Sequence, residues 1–371
     1  MRSIVALLFA ALLFVAIAPS TDLAQRTGSA APVRVCAGGD VTLGTNLDMD
    51  WARAGADTLW RFYSLRPDPD SLAPALRPFF AGADVALINL EGAIGEGPAP
   101  PKCDRHSTSC FAFRQPPNTA EALRRAIDSS TIIVANVANN HSRDAGDAGR
   151  AATVVALQAA GIYVTGADTL PAIVPLPSGD TIAVLGFHTD TAAPDARDLA
   201  AVRRRVRRAA RQYGTVIVTM HLGAEGPKAQ RTRNANERFL NMNRGNPVAF
   251  ANAAMVGGAT LVVGHGPHVL RAAEWRGDRL VLYSLGNLLT YGPFKLRPPT
   301  DRAAVVCATI DAPRHVGAAE LRSTMQRWPG VLLPDSTNRA WRLVDSLSRL
   351  DFPRSGVRVS RSGELEKRKR P

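Results

Sequence analysis

The sequence predicts an α/β fold in which the strands lie centrally. Short runs rich in β-branched residues alternate with longer segments of helical composition, and there is no internal repeat. The composition, 46% hydrophobic and 21% charged, is that of a globular protein. A core built from 371 residues does not need disulfides or metal for folding.

Five of the predicted strands end in residues that can bind a metal ion or move a proton. These residues are Asp40, Glu91, Asn140 with His141, His221, and His265 with His268. In open α/β sheets, sites form at the carboxyl ends of the strands, so we expect these side chains to converge on one crevice. Four of the seven histidines lie at these ends, which chance placement hardly explains. His188 and the turn Ser284–Asn287 follow two further runs and are weaker candidates.

The residue types at the strand ends indicate a metal centre. Two carboxylates, one Asn carbonyl and three histidines suffice for two adjacent divalent ions, which Glu91 could bridge. Such ions polarise a phosphoryl or acyl oxygen and supply hydroxide near neutral pH. Since no thiolate pair is available, Mn, Fe or Zn is favoured over a structural zinc. Two simpler interpretations stay open: a turn with incidental histidines at His265 and His268, and an Asn helix cap at Asn139-Asn140.

Residues 1–24 have the composition of an export signal or an N-terminal anchor. Arg2 provides the positive start, and the uncharged apolar run from Ile4 to Ala18 is short for a spanning helix of about 20 residues. We expect an exported protein, periplasmic or extracellular, which an uncleaved segment would hold at the membrane. The main domain is predicted over 25–352, and the basic residues 353–371 are predicted to be disordered.

The four cysteines fit an oxidising compartment. Cys103 and Cys110 lie close together in a polar, Pro-rich stretch, which favours a local disulfide. Cys36 and Cys307 each lie in an apolar, strand-like run, and we interpret them as buried free thiols. A pairing between these two is the alternative.

The net charge of +13 is concentrated in two clusters, Arg203–Arg208 and Lys367–Arg370. The first has helical composition and is interpreted as a solvated helix face. Because no aromatic residues are interleaved with it, we expect no nucleic-acid partner. A basic exported protein remains compatible with anionic polymers and acidic lipid surfaces.

The motifs at the strand ends resemble those of the capsule-synthesis CapA family, which is associated with poly-gamma-glutamate and is similar to the calcineurin-like metallophosphoesterases. The resemblance runs from Val33 to Asn287 in the order of the family. The segments that carry it are Gly39-Asp40-Val41-Thr42-Leu43-Gly44, Asn89-Leu90-Glu91, Ala138-Asn139-Asn140-His141-Ser142-Arg143-Asp144-Ala145-Gly146, His221-Leu222-Gly223-Ala224-Glu225, Gly264-His265-Gly266-Pro267-His268 and Tyr283-Ser284-Leu285-Gly286-Asn287.

The resemblance implies a four-layer α/β/β/α sandwich of metallophosphoesterase type, with the site at one edge of the paired sheets. It implies that His141 is the general acid beside the metal ions. The metal ligands that it implies are Asp40, Glu91, Asn140, His221, His265 and His268. The residues expected to contact substrate or to support the ligands are Asn89, Asn139, Asp144, Glu225, Ser284 and Asn287.

The motifs depart from the phosphoesterase pattern in three places. Val41-Thr42 follow Asp40 where that pattern has a further histidine ligand, the second acid is Glu91 rather than Asp, and two residues rather than one separate His265 from His268. These departures bear on the number of ions, which we expect to be two.

Three functions follow as expectations. The first is metal-dependent hydrolysis or transfer on an exported anionic polymer or phosphoester in capsule synthesis, using metal-activated water. The second is a non-catalytic, polymer-binding or assembly component that works with membrane synthesis partners. The third is an exported phosphoesterase or nucleotidase.

Overall fold

The computed structural model describes residues 31–44, 49–96, 111–189 and 194–368. The export segment and the proposed Cys103–Cys110 disulfide lie outside these residues. Within them, no helix is both long enough and apolar enough to span a bilayer.

Helices and strands alternate along the chain, as the sequence predicts. The helices are α1 (Met49–Thr58), α2 (Pro69–Leu72), α3 (Arg77–Phe80), α4 (Thr119–Ala126), α5 (Gly146–Ala159), α6 (Leu199–Gln212), α7 (Pro247–Gly257) and α8 (Arg339–Asp351), with a π-helical turn at Leu59–Tyr63 and a 3-10 turn at Ala73–Leu76. The strands are β1 (Val33–Thr42), β2 (Val85–Leu90), β3 (Ala93–Ile94), β4 (Arg114–Gln115), β5 (Ile132–Asn136), β6 (Tyr163–Thr165), β7 (Ala172–Pro175), β8 (Thr181–His188), β9 (Thr215–His221), β10 (Arg238–Phe239), β11 (Met242–Asn243), β12 (Leu261–His265), β13 (Ala273–Arg276), β14 (Arg279–Leu282), β15 (Asn287–Thr290), β16 (Arg302–Ala312), β17 (His315–Arg327), β18 (Val331–Pro334), β19 (Arg358–Val359) and β20 (Leu365–Glu366).

Two large sheets form the centre of the molecule. The first has the strand order β18-β17-β16-β1-β2-β5-β6, and the second has the order β13-β14-β12-β9-β8-β7. Strands β1, β2, β5 and β6 run parallel in the first sheet, and β8, β9, β12 and β14 run parallel in the second. Parallel strands bring their carboxyl ends to the same edge, so each sheet presents one edge rich in loop residues.

Side chains of alternating direction divide the core into three apolar layers. In β1, Val35 and Ala37 belong to the cluster between the sheets, whereas Cys36 belongs to the cluster beneath the helices that cover the first sheet. In β9, Ile217 faces the first sheet and Val216 packs with the residues of α6 and α7. This period of two is that of strands buried on both faces. The predicted α/β fold is confirmed, and the four layers that the family resemblance implied are present.

Strand β1 changes partner along its length. Its first half pairs antiparallel with β16, and from Asp40 onward it pairs parallel with β15. The change sets Asn287 directly beside Asp40 in the sheet. The first residue of β15 therefore supplies a side chain to the end of β1.

The helix α6 carries the first basic cluster. Val202, Val206 and Ala209 are buried against the second sheet, while Arg203, Arg204, Arg207 and Arg208 on its other face are exposed. This amphipathic division agrees with the interpretation of the cluster as a solvated helix face.

The C-terminal residues are ordered where we expected disorder. Residues 353–368 are described by the structure and include the hairpin β19–β20. Val357, Val359 and Leu365 are buried in the cluster between the sheets, and the indole Nε1 of Trp275 donates to Leu365 O at 3.1 Å. The prediction of a disordered tail is wrong for these residues, because three apolar side chains among the charged ones suffice to dock the hairpin.

Cys36 and Cys307 form a disulfide between neighbouring strands. They are directly opposite each other in β1 and β16, and both are buried. The interpretation as free thiols is wrong: the sequence shows that each cysteine is apolar and strand-like, but only the sheet register brings them together.

We expect the disulfide to contribute about 2–5 kcal/mol to the free energy of unfolding, because it closes a loop of 271 residues in the unfolded chain. Urea unfolding of the parent and of the Cys36→Ala/Cys307→Ala variant measures this. The urea midpoint of the parent treated with reductant should move towards that of the variant. Equal unfolding midpoints for the oxidised parent and the variant would show that the disulfide has no stabilising role.

Candidate metal centre

The carboxyl ends of both sheets meet at one site, as the strand-end pattern predicts. Asp40 lies beside Asn89 of β2 and Asn287 of β15 in the first sheet. In the second sheet, His221 is flanked in register by His265 on one side and His188 on the other. The site thus takes its side chains from both sheets.

Asp40, Glu91 and His268 form the centre of the site. One potential ligand atom from each lies within 4.8 Å of the other two. The imidazole of His268 reaches both carboxylates, with Nδ1 at 3.1 Å from Asp40 Oδ2 and Nε2 at 3.6 Å from Glu91 Oε1. His268 lies in the left-handed backbone region with φ of 59°, which is uncommon outside glycine and occurs in the turn after Pro267.

Glu91 is a buried carboxylate without a hydrogen-bond donor. Both of its oxygens are buried and unpartnered, yet three imidazoles face Oε1. The Nε2 atoms of His268, His221 and His141 lie 3.6, 3.7 and 3.9 Å from it. These distances exceed those of hydrogen bonds. They match two ligands that share an ion about 2.0–2.2 Å from each.

The protonation of the site follows from its burial. Burial raises the pKa of Glu91 well above its usual range, and it lowers the pKa of His221 well below its usual range. Burial also lowers the pKa of His265. It acts in the same direction on His268, but the charges of Glu91 and Asp40 outweigh it and raise the pKa of His268 to about 10.

Neutral His221 and His265 are therefore in the form that ligates metals, whereas His268 holds a proton that a divalent ion would displace.

Asn89 connects the ligands of the two sheets. Its Nδ2 donates to Asp40 Oδ1 at 2.8 Å and lies 3.2 Å from His221 Nδ1. Its Oδ1 accepts from Asn136 Nδ2 at 2.8 Å and from Asn139 Nδ2 at 3.3 Å. An amide nitrogen only donates, so Nδ1 of His221 is the acceptor, and in the neutral ring Nε2 carries the proton that faces Asn140 Oδ1 at 2.7 Å. Asn89 therefore links Asp40 to His221, and Asn139 holds Asn89 in place.

His265 holds the backbone of β1 with one ring nitrogen. Its Nε2 is 3.0 Å from Gly38 O, and because a carbonyl only accepts, Nε2 carries the proton. Its Nδ1 is buried without a partner. Histidine ligands commonly donate one N–H to a carbonyl and bind the metal through the other nitrogen. His265 lies outside the central triad but retains a nitrogen suited to a second ion.

Asn140 and His141 follow β5 with different contacts. Asn140 Oδ1 is 2.7 Å from His221 Nε2, which brings a potential oxygen ligand to the same imidazole. His141 Nδ1 is 2.6 Å from Asp144 Oδ2, and its ring packs on Phe113 at 4.4 Å between centroids. The interpretation of this motif as an Asn helix cap is wrong, since α5 begins only at Gly146 with Ala145 as its N-cap.

The remaining predicted residues lie around this cluster. Asn287 Oδ1 is 3.0 Å from His268 Nδ1 and helps to orient that ring. Ser284 is buried, and its hydroxyl accepts from Gly286 N, so it shapes the turn before Asn287. His188 Nδ1 contacts His221 O at 2.9 Å. Glu225 Oε2 is 3.8 Å from His268 Nε2.

Sequence reasoning missed several residues that shape the site. Asn136 is the last residue of β5, and a carboxamide inside an apolar run is a signal that could have found it. Phe113 and Phe294 stack 5.0 Å apart and lie against His141 and His268, respectively. Arg244, which pairs with Glu225, follows the exposed two-residue strand β11 rather than a buried apolar run, so the strand-end pattern gave no signal for it.

The fold and the site define a class of protein. Its members have two packed sheets, with carboxylates and histidines gathered where the parallel strands end. The chain belongs to the bacterial capsule synthesis protein family PGA_cap, whose family model matches residues 34–291. The matched range contains all six candidate ligands.

One relative is the capsule biosynthesis protein CapA of Bacillus anthracis. It is 23% identical over 287 residues, which cover 71% of this chain and 63% of the relative. The chain therefore matches less than two thirds of the length of that protein.

Two solved structures are similar at low identity. A phosphatase from Mycoplasma pneumoniae has a TM-score of 0.43 and 12% identity, covering 79% of this chain and 94% of its own. GAP50, the anchor in the inner membrane complex of Plasmodium, has a TM-score of 0.38 and 8% identity, covering 85% of this chain and 95% of its own. Neither similarity is close enough to carry an activity to this chain.

We expect Glu91→Gln to have opposite effects with and without metal. In chelator it should raise the unfolding temperature, because it removes a buried carboxylate whose oxygens have no hydrogen-bond partner. With Mn²⁺ or Zn²⁺ only the parent should be stabilised, since ligand binding to the folded state adds to stability. Thermal unfolding and metal analysis of both proteins measure this, with Glu320→Gln as the control, a carboxylate paired with Arg34 at the opposite end of β1. Equal metal content in parent and Glu91→Gln would contradict the assignment.

Replacing Asn89 by Ala should weaken metal binding without removing a ligand. We expect a loss of about 10–100-fold in affinity, because Asp40 and His221 lose the amide that orients them. Competition with a fluorescent chelator measures the affinity. Asn118→Ala, which removes only a surface hydrogen bond to Asp70, should leave it unchanged. An unaltered affinity in Asn89→Ala would show that the carboxamide network has no part in the metal centre.

Proposed function

We propose that this chain is an exported, metal-dependent hydrolase or transferase that acts on an anionic polymer or phosphoester in capsule synthesis. The observation that carries the proposal is the buried, unpartnered carboxylate of Glu91 facing three imidazole nitrogens. A buried charge without a partner is costly in a folded protein, and a cation at this point would offset the cost.

The donor set fits divalent metal ions. Carboxylate, carboxamide and neutral imidazole suit Mn, Fe and Zn, and we propose that two ions are held. The residues that would hold them are Asp40, Glu91, Asn140, His221, His265 and His268. When bound, such ions act as Lewis acids and lower the pKa of water.

His141 is suited to move a proton at the edge of this cluster. The carboxylate of Asp144 binds Nδ1 at 2.6 Å and also accepts the backbone N–H of Phe113 at 2.6 Å, so the ring cannot rotate freely. Nε2 therefore faces Glu91. A histidine held in this way by a carboxylate can donate a proton to a leaving group. Phe113, packed on the ring, restricts access of water from that side.

Export is supported by the disulfide. A buried cross-strand pair such as Cys36–Cys307 is typical of oxidising compartments and is rare in the cytosol. It agrees with the apolar run from Ile4 to Ala18. We therefore propose a periplasmic or extracellular protein that the N-terminal segment directs to, or holds at, the membrane.

The capsule assignment rests on the family and on the name of the Bacillus relative. A second candidate function, a non-catalytic polymer-binding component, is favoured by the exposed arginines of α6, among which the helix carries no acidic residue. In that case poly-gamma-glutamate would bind without turnover, and binding would persist in Glu91→Gln.

We expect His141→Gln to lower kcat by about 10²–10⁴-fold while metal content stays at the parent level, because a proton donor is lost but no ligand is. The assay would use Mn²⁺-loaded protein with p-nitrophenyl phosphate and, separately, with poly-gamma-glutamate. The matched control is His315→Gln, a partly exposed histidine paired with Asp311. Parental kcat in His141→Gln would remove its catalytic role, and no turnover by the parent on either substrate would favour the binding function.

A further inference from the structure

The segment between β9 and α7, residues 222–246, places an arginine–carboxylate pair, Arg244 with Glu225, against the metal centre. Arg244 is buried, with 2% of its surface exposed, and its Nη1 lies 2.8 Å from Glu225 Oε1. The other oxygen of Glu225 lies 3.8 Å from His268 Nε2. One carboxylate therefore separates the guanidinium from a central residue of the metal site.

The guanidinium of Arg244 is only partly satisfied. Its Nε and Nη2 are buried and have no hydrogen-bond partner. Nearby Arg271 is also buried, but both of its terminal nitrogens bind Glu237, at 2.9 and 2.7 Å. Leaving charged N–H groups buried and unpaired costs free energy, so a group of this kind needs an explanation.

The backbone holds Arg244 in place. Its N–H donates to Glu237 O at 2.9 Å, and its carbonyl accepts from Gly223 N at 2.8 Å. The Arg271–Glu237 pair holds the same segment, since Glu237 Oε2 also accepts from Ala224 N at 2.7 Å. Hydrogen bonds on both sides therefore fix the backbone of Arg244 in this segment.

We propose that Arg244 is an anion-binding residue of this site and takes an oxyanion of the substrate, phosphoryl or carboxylate, beside the metal ions. The planar guanidinium matches both groups through paired N–H donors. Glu225 neutralises Arg244 in the absence of substrate and competes with the incoming anion. This inference rests on the proposed function, because it assigns a substrate group to the same site.

The test measures anion binding by titration calorimetry on the purified, Mn²⁺-loaded chain at constant ionic strength. Inorganic phosphate and glutarate serve as separate probes, so the preferred oxyanion is identified by which of them binds. We expect Arg244→Gln to weaken binding of the preferred probe about 10–100-fold at unchanged metal content. Arg368→Gln is the matched control, because it removes a partly buried arginine that is paired with Asp345 of α8.

Glu225→Gln separates anion binding from a structural ion pair. If Glu225 competes with the anion, this variant binds the probe more tightly than the parent, and the gain disappears in Arg244→Gln/Glu225→Gln. If the pair is only structural, both single variants weaken binding alike, which overturns the proposal. Parental binding in Arg244→Gln, or no binding of either probe by the parent, also overturns it. Should Arg244→Gln not fold, Arg244→Lys carries the test, with an intermediate loss expected because one donor point replaces the fork.

Metal analysis of the same samples keeps the two proposals apart. A parent that binds the anion through Arg244 but holds no metal would contradict the metal-dependent function and support the anion site. A parent that holds metal and binds no anion would do the reverse.

Discussion

The burial of the Glu91 carboxylate without a hydrogen-bond donor is the constraint on which this site depends. A folded chain tolerates such a group only if a cation or a proton compensates it. The imidazoles of His221 and His268 face this carboxylate from beyond hydrogen-bond distance, and Arg244 is kept one carboxylate away. That arrangement leaves a place for a cation from outside the chain.

Some residues of the site face its centre, and others orient those residues through hydrogen bonds. Asn89 and Asn136 form a carboxamide chain whose donors end on Asp40 and His221, so a ligand from each sheet is oriented by the same network. Asn287 reaches Asp40 only because β1 exchanges β16 for β15 halfway along its length. A sheet irregularity thus completes the site, and the antiparallel half of β1 carries the Cys36–Cys307 disulfide.

Much of the site could be predicted because strand ends leave a record in the sequence. An apolar run that stops at Asp40, Glu91 or His221 identifies both a strand and the edge on which its last side chain lies. The contacts of His265 left no such record, since the pattern places the residue but not the ring nitrogen that faces the site. Arg244 could not be predicted, because its distance from His268 depends on the path of the long segment between β9 and α7.

The sequence by itself determined that strands alternate with helices, which strand ends carry candidate ligands and, with the support of the family motifs, that these ends meet at one site. Local periodicity and residue chemistry are sufficient for that, because each is written in neighbouring residues. Only the tertiary structure decided that Cys36 is opposite Cys307, that residues 353–368 dock as a hairpin, and that Arg244 retains buried, unpaired donors beside the candidate metal centre. These depend on register and on packing between segments far apart in the chain, which no local pattern encodes.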